Sequence, residues 1–571
     1  MSGPGVERAL LHPPAPAERT WARDQTVVRT EPLGGGPLTR AALAGTTPTG
    51  WYPTRPRTPR EWRERVNGIM AQSHDSRWLE ELWPAIEATG PARERLERAA
   101  ERGVVVTSGQ QPGLFGGPIY TWSKAIAVLA LADALEQICG VPVAPLFWAA
   151  TDDADFAEAS TTWMSVPGGV ESITAEPIAA TGTVLAAAPL GDLSVPVGRL
   201  IGAAGSASFG TAIDALRTAY IGTPADGPAR EDGRAPRAPV TAGSAFVALL
   251  RQLLSPLGVS VMDAAHDAVR RRAFPTLVNA LRQAGSIERA LDERSRAIAA
   301  AGCAPQVSNV RGLSLVFSWD TPEANRSDSA GLPTGPTKVR VPVAQAGDLA
   351  AKAAPGELSH NVLLRPIVER ALVPSAAYLG GPSEIAYFAQ TSAVGDVLQV
   401  PQPLILPRWS CTLIEPSAAA LLARYSTTLE ELHDLHGPET RLARAALPAP
   451  VREALVALSD AIEAGSRRLA AADAGELVPS AAIDGARARL AFRVGRLERR
   501  YVAAAKRAEQ GVLRDLATLR GALYPTGERQ ERVLNFIPFL ARGGTALLEA
   551  MQTEAMRHAA ELTGGDPSRL P

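Results

Sequence analysis

Hydrophobic and polar positions divide the chain into stretches of different period. Between Pro59 and Glu101 apolar residues recur every three or four positions, at Trp62, Val66 and Met70 and then at Trp78, Leu82 and Ile86. That spacing predicts helices burying an aromatic-rich face. The period changes at Val104, where VVVTSG, a β-branched run of the kind buried on both faces of a parallel sheet, enters the glycine-rich turn GQQPGLFGGP. Helical spacing returns over residues 119–138 behind Pro118, Gly140 marks a stop, and VPVAPLFWAAT reads as a second strand. Strand, turn, helix, strand is a βαβ unit, whose crossover is right-handed and whose ligands gather at the carboxyl ends of the strands.

The pattern then repeats with interruptions. Residues 165–241 are dominated by Gly, Ala, Pro and Ser, including GTPADGPAREDGRAPRAP, and predict an inserted loop. A helix over 245–257 leads to a third strand, Val259 to Asp263, and to further helix through Ala299. Val307–Trp319 and Thr337–Val343 predict two strands of a second, antiparallel insertion. NVLLRPIVERALVPSAAYLGGPSEIAYFAQ and PLILPRWSCTLIE then resume the core sheet. In the last third, Val451, Leu455, Leu458, Ile462, Gly465 and Leu469 alternate four and three apart, as do Leu490, Val494, Leu497, Tyr501, Ala504 and Ala508. That alternation predicts two long antiparallel helices with a coiled-coil seam, broken between 472 and 479. The expected architecture is α/β, a doubly wound parallel sheet followed by a helical hairpin. Its expected parts are an extended arm (1–59), the sheet core (60–415, with insertions near 165–241 and 305–345), the coiled coil (416–525) and a helical segment packing back on the core (526–571).

Composition narrows the function classes. The 571 residues are 46% hydrophobic and 20% charged, enough for a large core. With 58 Lys and Arg against 59 Asp and Glu, the net charge of −1 provides no bulk field toward nucleic acid or anionic lipid. No apolar run reaches the ~18 residues of a membrane span. The N-terminus carries Pro and charge where a secretion signal carries apolar residues, so a cytoplasmic protein is expected. Cys139, Cys303 and Cys411 show no metal-ligand or disulfide spacing, and no metal set is expected.

Three clusters carry candidate chemistry. Gly109, Gln110 and Gln111 open the turn between a buried strand and a helix, where unpaired amide N–H groups bind a carboxylate or phosphate; the alternative is a tight turn whose glycines serve packing. Asp152, Asp153 and Asp155 follow the second strand, and so many carboxylates suit an amine ligand or a general base; the alternative is helix capping. Gly380, Gly381 and Glu384, with Tyr378 before them, form a second glycine turn that either caps a helix or faces the same crevice. Of the seven histidines, His360 lies nearest a promising element.

Together VVVTSGQQPGLFGGPIYTWSKAI, FWAATDDADFAEA, the 361–390 block, PRWSCTLIE and QERVLNFIPFLARGG resemble the bacillithiol-biosynthesis cysteine-adding enzymes, the BshC family, from about Arg60 to the C-terminus. The resemblance implies a Rossmann-like core with connecting-peptide insertions and an antiparallel coiled coil, assembled as a homodimer. It implies a ligase joining the carboxyl of L-cysteine to the amine of glucosaminyl malate; making that amide in water requires an activated carboxyl, so a nucleotide (ATP/ADP) is expected, while the sequence carries no recognised ATP motif and leaves the activating agent open. Gly109, Gln110 and Gln111 match the family's turn. Asp152, Asp153 and Asp155 fall on its acidic motif, in which Ala154 stands where Glu-Asp-His-Asp has histidine and Asp152 where it has glutamate. Gln530, Arg532 and Asn535 match its C-terminal motif, where a second, nucleotide-type pocket is expected. Two rival readings are a nucleotidyltransferase-like enzyme using the same crevice, and a catalytically degenerate paralogue acting through its coiled coil.

Overall fold

The structure is a computed structural model that describes residues 25–72, 77–176, 178–205, 209–221, 240–321, 328, 332–473 and 477–565. The first part of the expected arm (1–24), the centre of the first insertion (222–239) and His74 lie outside the described residues. One compact unit spans Val28–Thr412 with Gly511–Pro571, and a second is built on Leu413–Gln510. In chain order the strands among the described residues are β1 (Val27–Thr30), β2 (Val104–Gln110), β3 (Val143–Ala149), β4 (Thr161–Val166), β5 (Gly169–Thr174), β6 (Ser260–Asp263), β7 (Leu313–Asp320), β8 (Thr337–Pro342), β9 (Leu358–His360), β10 (Ser375–Gly380), β11 (Ile405–Pro407) and β12 (Cys411–Ile414).

Five of these form the core sheet in the order β11-β10-β2-β3-β6, every pair parallel. β3 and β10 are buried throughout and β2 along all but its last residue. This is why their sequences are continuous apolar runs rather than alternating ones. The helices Ile119–Cys139 and Pro382–Leu398 are apolar on nearly all sides because each is covered on both faces, the first by the sheet and by the Ile537–Thr563 helix. Gly140 ends the first of them at φ +69°, a conformation glycine adopts without strain. From β2 the chain moves outward through β3 to β6, then returns to place β10 on the other side of β2. The order reverses between β2 and β10, and a crevice opens beyond their carboxyl ends.

Four expectations need correction. The low-complexity stretch 165–241 is not one loop: it completes a β4–β5 hairpin and holds helices Ser194–Ala203, which buries Val197 and Leu200, and Gly210–Tyr220, which buries its alanines and Leu216. The second insertion has three antiparallel strands, β8-β7-β9, because Leu358–His360 joins it. β12 is not part of the core sheet, although PRWSCTLIE reads as one of its strands; Arg408 bonds to Gly380 at the end of β11, and the chain then leaves. Between 25 and 59 the chain is also more ordered than an extended arm. The helix Pro37–Ala44 and Trp51 pack onto the 382–398 helix, where Thr39 donates to the Pro382 carbonyl (2.8 Å) and Tyr52 to that of Ile385 (2.9 Å).

In the second unit, helices Ala449–Asp473 and Ser480–Ala508 pack together as the heptads predict, with Arg487 bonded to Glu463 across them (3.1 Å). Several predicted seam residues stay uncovered within the single chain: Leu458, Leu469, Leu490, Leu497 and Tyr501 are all exposed. No helix among the described residues is long and apolar enough to cross a membrane.

Candidate active site

A cavity of about 680 Å³ occupies the crevice at the reversal point. Its wall includes Gly109, Gln110, Gln111, Asp152, Asp153, Tyr378, Gly381, Glu384 and Arg532, so the ends of β2, β3 and β10 converge as expected. Gly380, Asp155, Gln530 and Asn535 do not line it.

The glycine-rich turn serves a different purpose from the expected one. Gly116 and Gly117 donate their N–H groups to Gly113 and Leu114, and Ile119 N–H bonds to the Leu534 carbonyl (3.0 Å). The buried Asn535 amide donates to the carbonyls of Leu114 (3.2 Å) and Phe115 (3.0 Å) and to Thr162 Oγ1 (3.1 Å). Gln530, also buried, donates to the Ala522 carbonyl (2.7 Å). Buried amide groups require partners, and here the chain supplies them. The turn is therefore a packed joint, and Gln530 and Asn535 do not fit a nucleotide pocket. Gly109 is needed for strand contact, since a Cβ there would stand 2.7 Å from the Trp148 carbonyl oxygen. The glutamine amides are engaged too: Gln110 donates to Tyr120 (2.9 Å) and accepts from Lys124 (3.1 Å), while Gln111 donates to Asp153 Oδ2 (2.8 Å).

Lys124 projects from the apolar 119–139 helix to bridge the two glycine turns. It donates to the Gly109 carbonyl (2.9 Å) and pairs with Glu384 (2.6 Å). Glu384 caps the 382–398 helix by accepting from Gly381 N–H (2.6 Å) and also accepts from the Tyr378 hydroxyl. Burial raises its pKa, but Lys124 and the Gly381 bond outweigh that and hold the carboxyl below its ordinary range. Both readings of this second turn therefore hold at once: Glu384 is a cap and it borders the cavity.

The acidic trio divides. Asp152 is buried, paired with Lys338 (3.0 Å) and bonded by Ser359 (3.2 Å). Burial opposes its charge, yet Lys338 and His360 bring its pKa down to about 2. Asp153 faces the cavity half-buried, with Oδ1 accepting from Asp155 N–H (2.9 Å). Asp155 is exposed and caps the short helix Phe156–Ala159 through Glu158 N–H (3.0 Å), which removes it from the expected catalytic set. Glu158 reaches the cavity instead.

His360, from β9, lines the wall beside Trp148, with ring centroids 5.9 Å apart. Burial first, then Lys338 and Arg365, depress its pKa to about 4 against the pull of Asp152. The unfolded chain, with histidine near 6.5, binds the proton more readily than the folded one between those values. Stability should therefore fall as pH drops from about 6.5 to about 4, by about 3 kcal/mol from this group. His360→Gln should flatten that part of the curve in urea titrations across the window. Equal slopes for both proteins would refute the assignment.

Family models match both parts of the chain: the bacillithiol biosynthesis BshC N-terminal Rossmann-like domain at residues 46–193 and 235–409, and the BshC C-terminal coiled-coil domain at 412–563. The chain belongs to the BshC family. A relative from Solibacter usitatus is 32% identical over 476 residues, covering 82% of this chain and 85% of its own. One from Koribacter versatilis is 32% identical over 491 residues (83% and 86%), and one from Symbiobacterium thermophilum 28% over 484 (82% and 85%). Each bears the name "Putative cysteine ligase BshC".

In this BshC chain several cavity residues escape motif reading. Arg365 is tied to Glu369 (2.7 Å) and Tyr387 (3.2 Å) and lies 4.7 Å from the Tyr378 ring centroid. Arg408 forms a two-pronged pair with Glu531 (2.8 and 2.9 Å). Arg532 lines the same wall and its charge acts on Glu158, whose pKa burial, Asp155 and Asp153 raise all the same. Lys338 and Arg340 arrive on β8. The available signals were a lone lysine in an otherwise apolar helix and the Arg365/Glu369 spacing of four residues. Ala154 lines the cavity and places no imidazole there; the imidazole on this wall comes from His360.

Proposed function

We propose that this BshC chain is an amide-forming carbon–nitrogen ligase that joins L-cysteine to the amine of glucosaminyl malate, acting in the cytoplasm as a homodimer. The observation that carries the reading is one cavity holding both signs of charge: Asp153 and Glu158 on one side, and lysines and arginines from β8, the 119–139 helix and the C-terminal segment around it. Both substrates carry an ammonium and a carboxylate, and the amine substrate carries two carboxylates. Such ligands need a site of mixed charge rather than an apolar slot. In this reading Asp153 holds the ammonium and takes a proton from it, and the freed amine attacks the carbonyl carbon of a cysteine carboxyl activated with ATP as an acyl phosphate or adenylate. The C–N bond forms as the C–O bond to the phosphoryl group breaks, and phosphate or AMP leaves. Lys124 and Glu384 keep the floor rigid. The exposed seam leucines of the helical hairpin supply the dimer surface, which sedimentation of the full chain tests.

The direct test incubates the purified chain with L-cysteine, glucosaminyl malate and ATP and follows products by mass spectrometry. Cysteinyl-glucosaminyl malate is the expected product. Adenylylated or phosphorylated glucosaminyl malate as the only product would overturn amide formation.

A further inference from the structure

Four of the six lysines and arginines on the cavity wall are paired by the chain itself. Lys124 faces Glu384, Lys338 faces Asp152, Arg365 faces Glu369 and Arg408 faces Glu531. Arg532 acts on Glu158 through its charge alone, and the two form no ion pair among the described residues. Arg340 differs. Its Nε donates to the Ser314 carbonyl (2.9 Å), which fixes the plane of the guanidinium, and its two terminal nitrogens have no partner among the described residues. No carboxylate among those residues lies within ion-pair distance of it. The side chain is half-buried on the cavity wall, and burial disfavours its charge with no neighbouring anion to compensate. A partly desolvated guanidinium without a counter-charge is unfavourable, and its free fork matches a carboxylate in two-pronged geometry.

Arg340 does not act alone. Residues two apart on a strand share a face, so β8 presents Lys338 and Arg340 side by side. Phe317 lies opposite Arg340 in register, with the Lys338 ammonium 5.3 Å from the centre of its ring. Among the donors first expected to hold a carboxylate, the Gly116 and Gly117 amides and both glutamine side chains already have partners in the chain.

We propose that Arg340, with Lys338 beside it, is the carboxylate-recognition pair of this site: it takes the dicarboxylate arm of the amine substrate and so determines specificity for a dianionic over an uncharged amino sugar. This rests on the ligase reading for the identity of the substrate, and it assigns the second insertion a function as the part of the fold that selects it. Arg340 is a binding residue, not part of proton transfer.

The test measures binding without turnover, by calorimetry on the full chain with glucosaminyl malate and with methyl glucosaminide, which has the amine and no carboxylate. Loss of one charge-assisted, two-pronged contact should weaken glucosaminyl malate binding about 10- to 100-fold in Arg340→Gln. Affinity for methyl glucosaminide should stay within about twofold, a split that a merely structural defect would not produce. Arg340→Lys keeps the charge without the fork and should retain part of the preference; if Arg340→Gln fails to fold, this variant decides. Unchanged discrimination between the two ligands would overturn the proposal, as would equal weakening of both. A wild-type chain that binds glucosaminyl malate but does not ligate it would end the ligase reading while the binding comparison still judges Arg340. A wild-type chain that binds the two ligands equally refutes the proposal outright.

Discussion

Replacing Asp153 by Asn lowers cysteine ligation by about 10²–10⁴-fold in kcat, the usual worth of a positioned proton acceptor, and leaves the chain folded. The expectation follows from how the neighbouring acids are engaged. Asp152 is held by Lys338 and Ser359 with its pKa near 2, so it neither frees itself for an amine nor retains a proton at neutral pH. Asp155 points away and caps the Phe156–Ala159 helix. Asp153 is left on the cavity wall with hydrogen-bond donors, Gln111 and the Asp155 N–H, but no cation paired to it among the described residues. Asparagine keeps the size and one accepting oxygen but neither holds an ammonium by charge nor accepts its proton. Steady-state rates with cysteine and glucosaminyl malate check this, with Asp155→Asn as the comparison: sequence alone gives the two equal claims, and the structure moves the whole effect to Asp153. A Asp153→Asn rate within about threefold of wild type, where the full effect is at least ~10²-fold, would remove this carboxylate from the mechanism.

Much of the fold was legible because each core element carries its own local signal. Val104 to Val106 and Val143 to Ala149 announce strands buried on both faces, and Pro118 and Gly140 bracket the helix between them. The heptads likewise announced the paired helices of 449–473 and 480–508. The first insertion was not legible: the Gly, Ala, Pro and Ser that dominate the stretch report a loop by composition, and its helices acquire a buried face only through neighbours distant in sequence. The site shows the same division. Segments ending at strand termini could be assigned to one crevice because topology puts all such ends on one side. The partner of each side chain could not, since Lys124 and Glu384, Asp152 and Lys338, and Arg408 and Glu531 are between 123 and 260 residues apart. Asn535 makes the point most sharply. Its match to a family motif is compatible with ligand binding, but the carbonyls of Leu114 and Phe115, more than 400 residues earlier, are what its amide meets.

The Arg408–Glu531 pair should carry the largest stability effect of any side-chain contact at the site. Arg408 is 3% exposed and Glu531 2%, and their two-pronged bond ties the end of β11 to the segment entering the C-terminal helix. Glu531 also accepts from the Ser410 hydroxyl (2.7 Å) and the Cys411 N–H (3.3 Å). Burial works against its charge; Arg408 and these donors overcome it and hold its pKa below the ordinary value. Arg408→Met removes the counter-charge and leaves a carboxylate in a nearly dry site, where two neutral donors cannot replace it. The expected loss is about 3–5 kcal/mol in unfolding free energy, measured by urea titration near neutral pH. The comparison that isolates the cause is Arg408→Met with Glu531→Leu in one chain. If the single variant suffers because of a stranded charge, deleting that charge restores most of the loss, because apolar groups of similar volume need no partner. If it suffers only from lost packing, the double variant is less stable than either single one. A single-variant loss below about 1 kcal/mol would mean that water reaches Glu531 and that the pair is not buried in solution.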